Sequence, residues 1–384
     1  MNESIRFARP ITNELEIKAL SDVVESEIYV HGSQTKAFEE AFGLKFGHLN
    51  SLSLANCTAG LHLAHTYFSQ KLGFELGSRR EVICTAQTHV ATAHAITLAG
   101  LKAVFVDCEQ NTGNVDVALV EAAINENTIG IAAMHFNGVP CEIKELVTLA
   151  DKNGLYIVED CAIALGAKVE GQPVGTFGVA GAFSFHPVKQ MTTGEGGMLV
   201  VNDESDMAAL SLMRAFGVDR NFTERQEPGV YDVSRLGFNY RMAELPAALG
   251  NIQLNKVDGF LAARKANYLT LEEEVGELKN ARFLAKGVNL EGRSYYTAIL
   301  VLKEGLKSRS AIVKKFLDHG IQTSVYYPHP IPRLHYYASL EAYDSSRYPN
   351  AQAIADRSIA FPIGPHLSFE MIASIAKNIK EFIG

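Results

Sequence analysis

Short apolar runs rich in valine and isoleucine punctuate the first two-thirds of the chain: Glu81 to Thr85, Ala103 to Asp107, Ile129 to His135 and Leu155 to Asp160. Runs of this kind are what strands covered on both faces require. Between them lie longer stretches with helical spacing, such as Ala59 to Lys71, Thr88 to Ala99 and Cys141 to Asn153. The alternation predicts an α/β fold, a mostly parallel sheet with helices on both sides, in which ligands belong at the carboxyl ends of the strands. After about Leu245 the texture changes to a long helical stretch, Ala243 to Leu278, a strand-like run, Tyr295 to Leu302, and another helix, Ser308 to His319. This predicts a large domain over residues 1–245, whose N-terminal segment contributes to the substrate site, and a smaller C-terminal α+β domain over 246–384. Pro328, Pro330 and Pro332 make Tyr326 to Arg333 an extended loop, and loops of that kind often line sites.

Composition changes this picture little but excludes some partners. Hydrophobic residues make up 47% of the 384 and charged residues 20%, an ordinary globular balance. A net charge of -8 argues against nucleic acid or an anionic membrane as the main partner, since either needs a clustered positive field. No stretch approaches a membrane span, and the first ten residues have no apolar core fit for export. Five scattered cysteines, Cys57, Cys84, Cys108, Cys141 and Cys161, form no C-x-x-C pair. They suggest neither a disulfide framework nor a metal site, and with the missing export signal they predict a cytoplasmic protein.

The most informative stretch is Phe183-Ser184-Phe185-His186-Pro187-Val188-Lys189, followed by Thr192-Thr193-Gly194-Glu195-Gly196-Gly197 and an apolar run, Met198 to Val201. A lysine between apolar runs and a glycine-rich turn is poorly solvated, which lowers its pKa and makes its amine a usable nucleophile for a Schiff base. The glycines allow close approach of a planar ring, and Ser184 offers a hydroxyl to a phosphate. A surface lysine beside a hairpin explains this motif alone about as well. Asp160, ending an apolar strand, can pair with a protonated pyridine nitrogen and keep a ring electron-withdrawing. Taken alone it reads better as an N-cap. Asn56-Cys57-Thr58-Ala59-Gly60-Leu61-His62 leads into a helix whose N-terminal N–H groups, with the Thr58 hydroxyl, suit a phosphate. A Thr cap is common, so the weight lies in the order of the three signals.

Together with Glu159-Asp160, Leu236-Gly237-Phe238-Asn239-Tyr240-Arg241-Met242 and Gln253-Leu254, these segments make nearly the whole chain resemble the DegT/DnrJ/EryC1/StrS sugar aminotransferases. The resemblance implies the aspartate-aminotransferase architecture (fold type I), with a seven-stranded type of sheet and pyridoxal 5'-phosphate (PLP) as cofactor. By motif it makes Lys189 the Schiff-base lysine and Asp160 the partner of the pyridine nitrogen. Thr58, Ala59 and Ser184 hold the phosphate, and Asn239 reaches the phosphate of the neighbouring subunit, so a homodimer with shared sites is expected. The bland alternative for Asn239-Tyr240-Arg241 is a loop leading into a helix. Two positions depart from the family pattern: Ile163 stands where Gln or His is usual beside the cofactor's phenolic oxygen, and His89 stands where an aromatic ring usually stacks. Tyr326 replaces a usual histidine in the sugar-side loop, leaving His329 and His335, with Arg241, as further candidate substrate contacts. Glu195 and Arg214 are weaker candidates, equally explained as solvated or inter-subunit charges.

The expected reaction is transamination from glutamate to a keto-sugar used in bacterial surface polysaccharide. His89, the run Ala91-Thr92-Ala93-His94 and Ile163 resemble the branch that forms 8-amino-3,8-dideoxy-manno-octulosonate for lipopolysaccharide. The family's usual acceptor, a nucleotide-linked 4-keto or 3-keto hexose, is the alternative. A related PLP-dependent sugar dehydratase carries histidine in place of the lysine, which Lys189 opposes. A non-catalytic PLP-binding regulator would carry an added DNA-binding segment and positive charge, and neither is evident. A Schiff-base aldolase would not need the phosphate-binding elements.

Overall fold

The computed structural model describes residues 4–48, 50–219, 230–305 and 308–384. Two helices, α1 (Glu14–Ser26) and α2 (Ser33–Phe46), precede the central sheet. That sheet comprises β1 (Asn50–Leu54), β2 (Glu81–Thr85), β3 (Lys102–Val106), β4 (Thr128–Met134), β5 (Tyr156–Asp160), β8 (Ala180–Ser184) and β9 (Gly197–Val201). A two-residue hairpin, β6 (Lys168–Val169) with β7 (Gln172–Pro173), lies outside it. The seven strands take the order β1-β9-β8-β5-β4-β2-β3. β9 alone runs against the others, pairing antiparallel with both β1 and β8. The remaining pairings, β2 with β3 and β4, β4 with β5, and β5 with β8, are parallel. The expected α/β architecture with a mostly parallel sheet is thus present.

The crossovers are α3 (Cys57–Lys71), α4 (Val90–Leu98), α5 (Val117–Ala123) and α6 (Ile143–Asn153), with α7 (Glu204–Arg214) after β9. Local chemistry fixes their starts. The Asn56 side chain accepts the Ala59 N–H at 2.8 Å and so begins α3 two residues before the first helical position read from spacing. His89 caps α4 in the same way through Nδ1. α8 (Glu244–Val275) is followed by β10 (Ala281–Phe283), β11 (Ala298–Leu302), α9 (Arg309–Asp318), α10 (His335–Leu340), α11 (Pro349–Arg357), β12 (Ser358–Phe361) and α12 (Phe369–Ile383). The last three strands form an antiparallel sheet in the order β10-β11-β12. Its core joins Tyr268, Leu271 and Val275 of α8 to Ile375 and Ile379 of α12, and it also takes in Ile5, which bridges to Ile321. The N-terminal segment therefore packs with the C-terminal core. No helix among the described residues is long and apolar enough to cross a membrane.

The loop expected at Tyr326 to Arg333 is irregular as far as Pro330 but ends in a single 3-10 turn, Ile331–Arg333. The Ile331 N–H donates to the Ala86 carbonyl at 2.9 Å, which ties this loop to the end of β2.

Candidate active site

Parallel strands bring their carboxyl ends to one edge, and there a cavity of about 720 Å³ opens. β1 delivers Asn56 to Ala59, β2 delivers His89, β5 delivers Asp160 and β8 delivers Ser184. Because β9 is reversed, the turn between β8 and β9 lies at the same edge and places Lys189 and Glu195 in the wall. Six residues singled out from sequence thus converge: Thr58, Ala59, His89, Asp160, Ser184 and Lys189, with Tyr326 on the opposite wall.

The lysine turn is held by its backbone. The Phe185 N–H donates to Gly196 O at 2.9 Å, the Thr193 N–H donates to Phe185 O at 2.9 Å, and the Thr192 hydroxyl donates to Phe185 O at 2.9 Å. Gly197 has a specific steric role, since a Cβ there would lie 2.5 Å from the Asn56 carbonyl carbon and 2.6 Å from the Cys57 nitrogen. Only glycine lets β9 abut the N-terminus of α3. Lys189 Nζ lies 5.3 Å from the centroid of the Tyr296 ring. Burial lowers the Lys189 amine below the ordinary lysine range, against the raising influence of Cys57, Asp160 and Glu195. A larger neutral fraction favours nucleophilic attack.

Asp160 begins no helix, which removes the capping alternative: its Oδ1 accepts the Ala162 N–H at 3.0 Å in a turn. Oδ2 accepts the Thr92 hydroxyl at 2.6 Å, and Thr92 in turn meets the Thr88 hydroxyl at 2.7 Å. The carboxylate is oriented and keeps lone pairs for a ligand in the cavity. At the other side, α3 presents its N-terminus. The Ala59 N–H is already taken by Asn56 Oδ1, which leaves the Thr58 N–H and hydroxyl as donors with no partner among the described residues. The Ser184 oxygen accepts weakly from the His186 N–H at 3.5 Å, so its own O–H remains free to donate.

His89 faces the cavity with its ring against Tyr327, centroids 5.4 Å apart, and burial together with nearby Lys189 holds it below the ordinary histidine value. Ile163 is buried in apolar surroundings, and its carbonyl accepts from Gln190 at 2.8 Å and Ser294 at 3.1 Å. Tyr326 meets the Tyr296 hydroxyl at 3.0 Å. Several named residues lie outside this cavity. Asn239 is exposed in a bridge to Ala215, Arg241 stacks at 4.9 Å over Phe216, and His329 accepts from Arg333 at 3.0 Å on the surface. His335 is exposed at the start of α10. Arg214 is engaged with Glu39 at 2.6 Å.

Sequence reasoning missed Tyr296, Tyr327 and Cys57 as lining residues. Cys57 sits inside a motif that pointed to the site. Both tyrosines come from the C-terminal part: Tyr327 lies in the proline-rich loop already marked as one that could line a site, whereas Tyr296 carried no local signal. Among the described residues one grouping has metal-like spacing, His135, Glu159 and Cys161, all buried. Glu159 there already accepts N–H groups of Gly175, Phe177 and Gly178, so its lone pairs are taken by the fold.

A neutral-prone lysine, an oriented carboxylate and a helix N-terminus with an adjacent hydroxyl, all around one cavity at the carboxyl edge of an α/β sheet, are the groups with which an enzyme can hold a phosphorylated heterocycle. The donor set fits PLP. The model of the DegT/DnrJ/EryC1/StrS aminotransferase family matches residues 10–380, and the chain belongs to that family, as a PLP-dependent aminotransferase. GDP-perosamine synthase of Escherichia coli O157:H7 is 31% identical over 355 residues, which cover 91% of this chain and 90% of that protein. Helicobacter pylori PseC, an aminotransferase involved in pseudoaminic acid biosynthesis, superposes with a TM-score of 0.92 at 26% identity, covering 99% of each chain. Spr1654 from Streptococcus pneumoniae in its PLP form gives 0.89 at 28% identity, covering 99% of this chain and 98% of that one.

Proposed function

We propose that this enzyme transfers an amino group from glutamate to a keto-sugar and that Lys189 is the residue that links to the cofactor. The observation carrying this reading is the placement of a burial-lowered Lys189 in one cavity with Asp160 and the open N-terminus of α3. PLP, when bound, withdraws electrons from the carbon that loses or gains a proton. Asp160, oriented by Thr92 and Ala162, would pair with the ring nitrogen and favour its protonated state. The Thr58 N–H and hydroxyl and the Ser184 hydroxyl would hold the phosphate, helped by the positive end of α3. His89, which lines the same cavity, would lie against the ring. Lys189 would serve as the nucleophile that holds the cofactor, and its amine, when free, would carry a proton between carbon atoms of the substrate. Tyr296, Tyr326 and Tyr327 form the wall facing the acceptor.

Asn239 serves the site of a second subunit. It is exposed on a loop flanked by exposed apolar residues, Phe216 at 49%, Val233 at 52% and Leu236 at 62%, a grouping that suits burial against another copy. The acceptor we favour is the 8-keto form of 3-deoxy-octulosonate, on the strength of His89 and Ile163, for lipopolysaccharide made in the cytoplasm. The likeness to GDP-perosamine synthase supports a second reading, a nucleotide-linked keto-hexose.

An absorption spectrum of the PLP-loaded protein before and after glutamate tests the central proposal. A visible band from a lysine-linked cofactor that bleaches with glutamate, and is absent in Lys189→Ala, is expected. A wild-type protein that binds PLP without linkage to Lys189 would refute it. Assays with the free octulosonate ketone and with a nucleotide-linked 4-keto-hexose then separate the two acceptors.

A further inference from the structure

Away from the active cavity, and sharing none of its lining residues, a second cavity of about 370 Å³ opens beside β3, the edge strand of the large sheet. Its apolar part is aromatic: Phe105 from β3, Tyr336 and Tyr337 from α10, and Tyr348. Phe105 and Tyr337 pack edge to face at 5.2 Å, and Tyr336 stands at 88° to Tyr337 with 48% of its surface exposed. Three cations, Arg79, Lys102 and Arg347, and one carboxylate, Glu341, are the charged residues that line it, in a chain whose net charge is -8.

Arg79 has no carboxylate partner among the described residues. Its backbone lies in the left-handed region, φ 55°, and its N–H donates to the Gly100 carbonyl at 3.2 Å. A non-glycine residue held in that region is a strain that surrounding structure must enforce, and such strain clusters at ligand sites. Lys102 pairs with Glu81 at 3.0 Å and Arg347 with Glu341 at 2.8 Å. The Arg347–Glu341 pair is exposed on both sides and weak, so a phosphate ligand competes well for Arg347, while Lys102 stays paired with the largely buried Glu81.

We propose that this slot is a second ligand site, taking a nucleoside diphosphate with its base against the tyrosines and its diphosphate on Arg79, Lys102 and Arg347. The volume suits a ligand of that class, the exposed Tyr336 offers a face on which a base can stack, and the cations meet the phosphates. The ligand acts as an effector, because the slot is built from the elements that carry the active-site walls. The Tyr337 hydroxyl lies 2.8 Å from His94 and 3.4 Å from Thr97, both on α4, whose cap is His89 of the active cavity. The segment ending in Tyr337 is the continuation of Tyr326 and Tyr327.

The test is a calorimetric titration of UDP into the PLP-loaded enzyme, the Arg79→Ala/Arg347→Ala double variant, and Tyr326→Ala as an active-site control. The three substituted residues line their cavities, and retained folding is checked by the visible cofactor band. Wild type and Tyr326→Ala are expected to bind UDP with affinity on the order of 10–100 μM, with the double variant about tenfold weaker or short of one bound equivalent. Saturating UDP is expected to move the KM for glutamate several-fold in wild type and not in the double variant. Absence of heat at millimolar UDP, or binding kept in the double variant and lost in Tyr326→Ala, overturns the site. An unchanged KM with the slot filled overturns the effector role.

Discussion

Glu159 and Asp160 are neighbours in β5, both fully enclosed, yet they point to opposite faces of the sheet and meet opposite fates. Glu159 accepts four hydrogen bonds: Phe177 and Gly178 N–H groups on Oε1 at 2.7 and 2.8 Å, and the Gly175 N–H at 2.7 Å and His135 Nε2 at 3.0 Å on Oε2. His135 Nδ1 accepts the Cys141 N–H at 3.2 Å, which leaves Nε2 as the protonated donor to the carboxylate. Asp160 accepts two and opens into the cavity. A carboxylate whose lone pairs are filled by its own backbone supports the fold, whereas one with lone pairs to give serves a ligand.

The sharpest contrast comes from substituting the cavity lysine itself. Lys189→Ala is expected to lower the glutamate-driven spectral change by a thousandfold or more, on the order of the largest general acid-base effects, with an unchanged urea midpoint. Residual turnover within about tenfold of wild type would displace Lys189 from the centre of the mechanism. Next, Asp160→Asn should slow transamination by about a hundredfold or more at little cost in stability. Glu159→Gln should do the reverse, costing about 2–4 kcal/mol of unfolding free energy by urea titration while leaving the cofactor band in place. If the two variants give the same pattern, the distinction between the faces fails.

Buried histidines sharpen the comparison in pH. Burial holds His48 down to about 4 and His65 down to about 3. Between those values and the ordinary 6.5 the unfolded chain binds protons that the folded one does not, so their contribution is complete above about pH 6.5 and declines as pH falls. A loss of up to about 3 kcal/mol for His48 between pH 7 and pH 4 is expected, and His48→Phe, which keeps the packing on Phe42 and Phe183, should flatten it. An equally steep acid limb in that variant would assign the loss elsewhere. The smallest effect belongs to the phosphate end: Thr58→Val or Ser184→Ala should each weaken PLP by about 1–2 kcal/mol, five- to thirtyfold in equilibrium dialysis. Unchanged affinity in both would move the phosphate to other donors.

Much of this was readable before any coordinates. Glu81 to Thr85 and Tyr156 to Asp160 are strands because both faces are covered, and such strands announce themselves as unbroken apolar runs. Helix starts were harder, since Asn56 and His89 set them through side-chain caps that hydrophobic spacing does not register. The reversed direction of β9 was invisible in its apolar residues, yet it is what brings Lys189 to the ligand edge. Tyr296 and Tyr327 join the cavity only through tertiary folding, more than a hundred residues from Lys189 along the chain. Only the proline-rich loop hinted at Tyr327, and no local pattern marks Tyr296. Ala59 was placed by motif, and its N–H turns out to be engaged by the Asn56 cap.

α8 carries a mechanical consequence. It runs unbroken for 32 residues, about 48 Å at 1.5 Å per residue. Leu254 and Val257 lie in the core against α2, and Tyr268, Leu271 and Val275 lie in the core under the C-terminal sheet. Its flank is clamped to α1 by Lys256 and Glu16 at 2.6 Å, and Ile5 stitches the opposite end of the chain into the second core. A beam shared by two cores cannot bend like a hinge at its middle. Any opening of the cavity must therefore come as small sliding of packed surfaces or as movement of the Tyr326 loop, with the beam as the fixed reference.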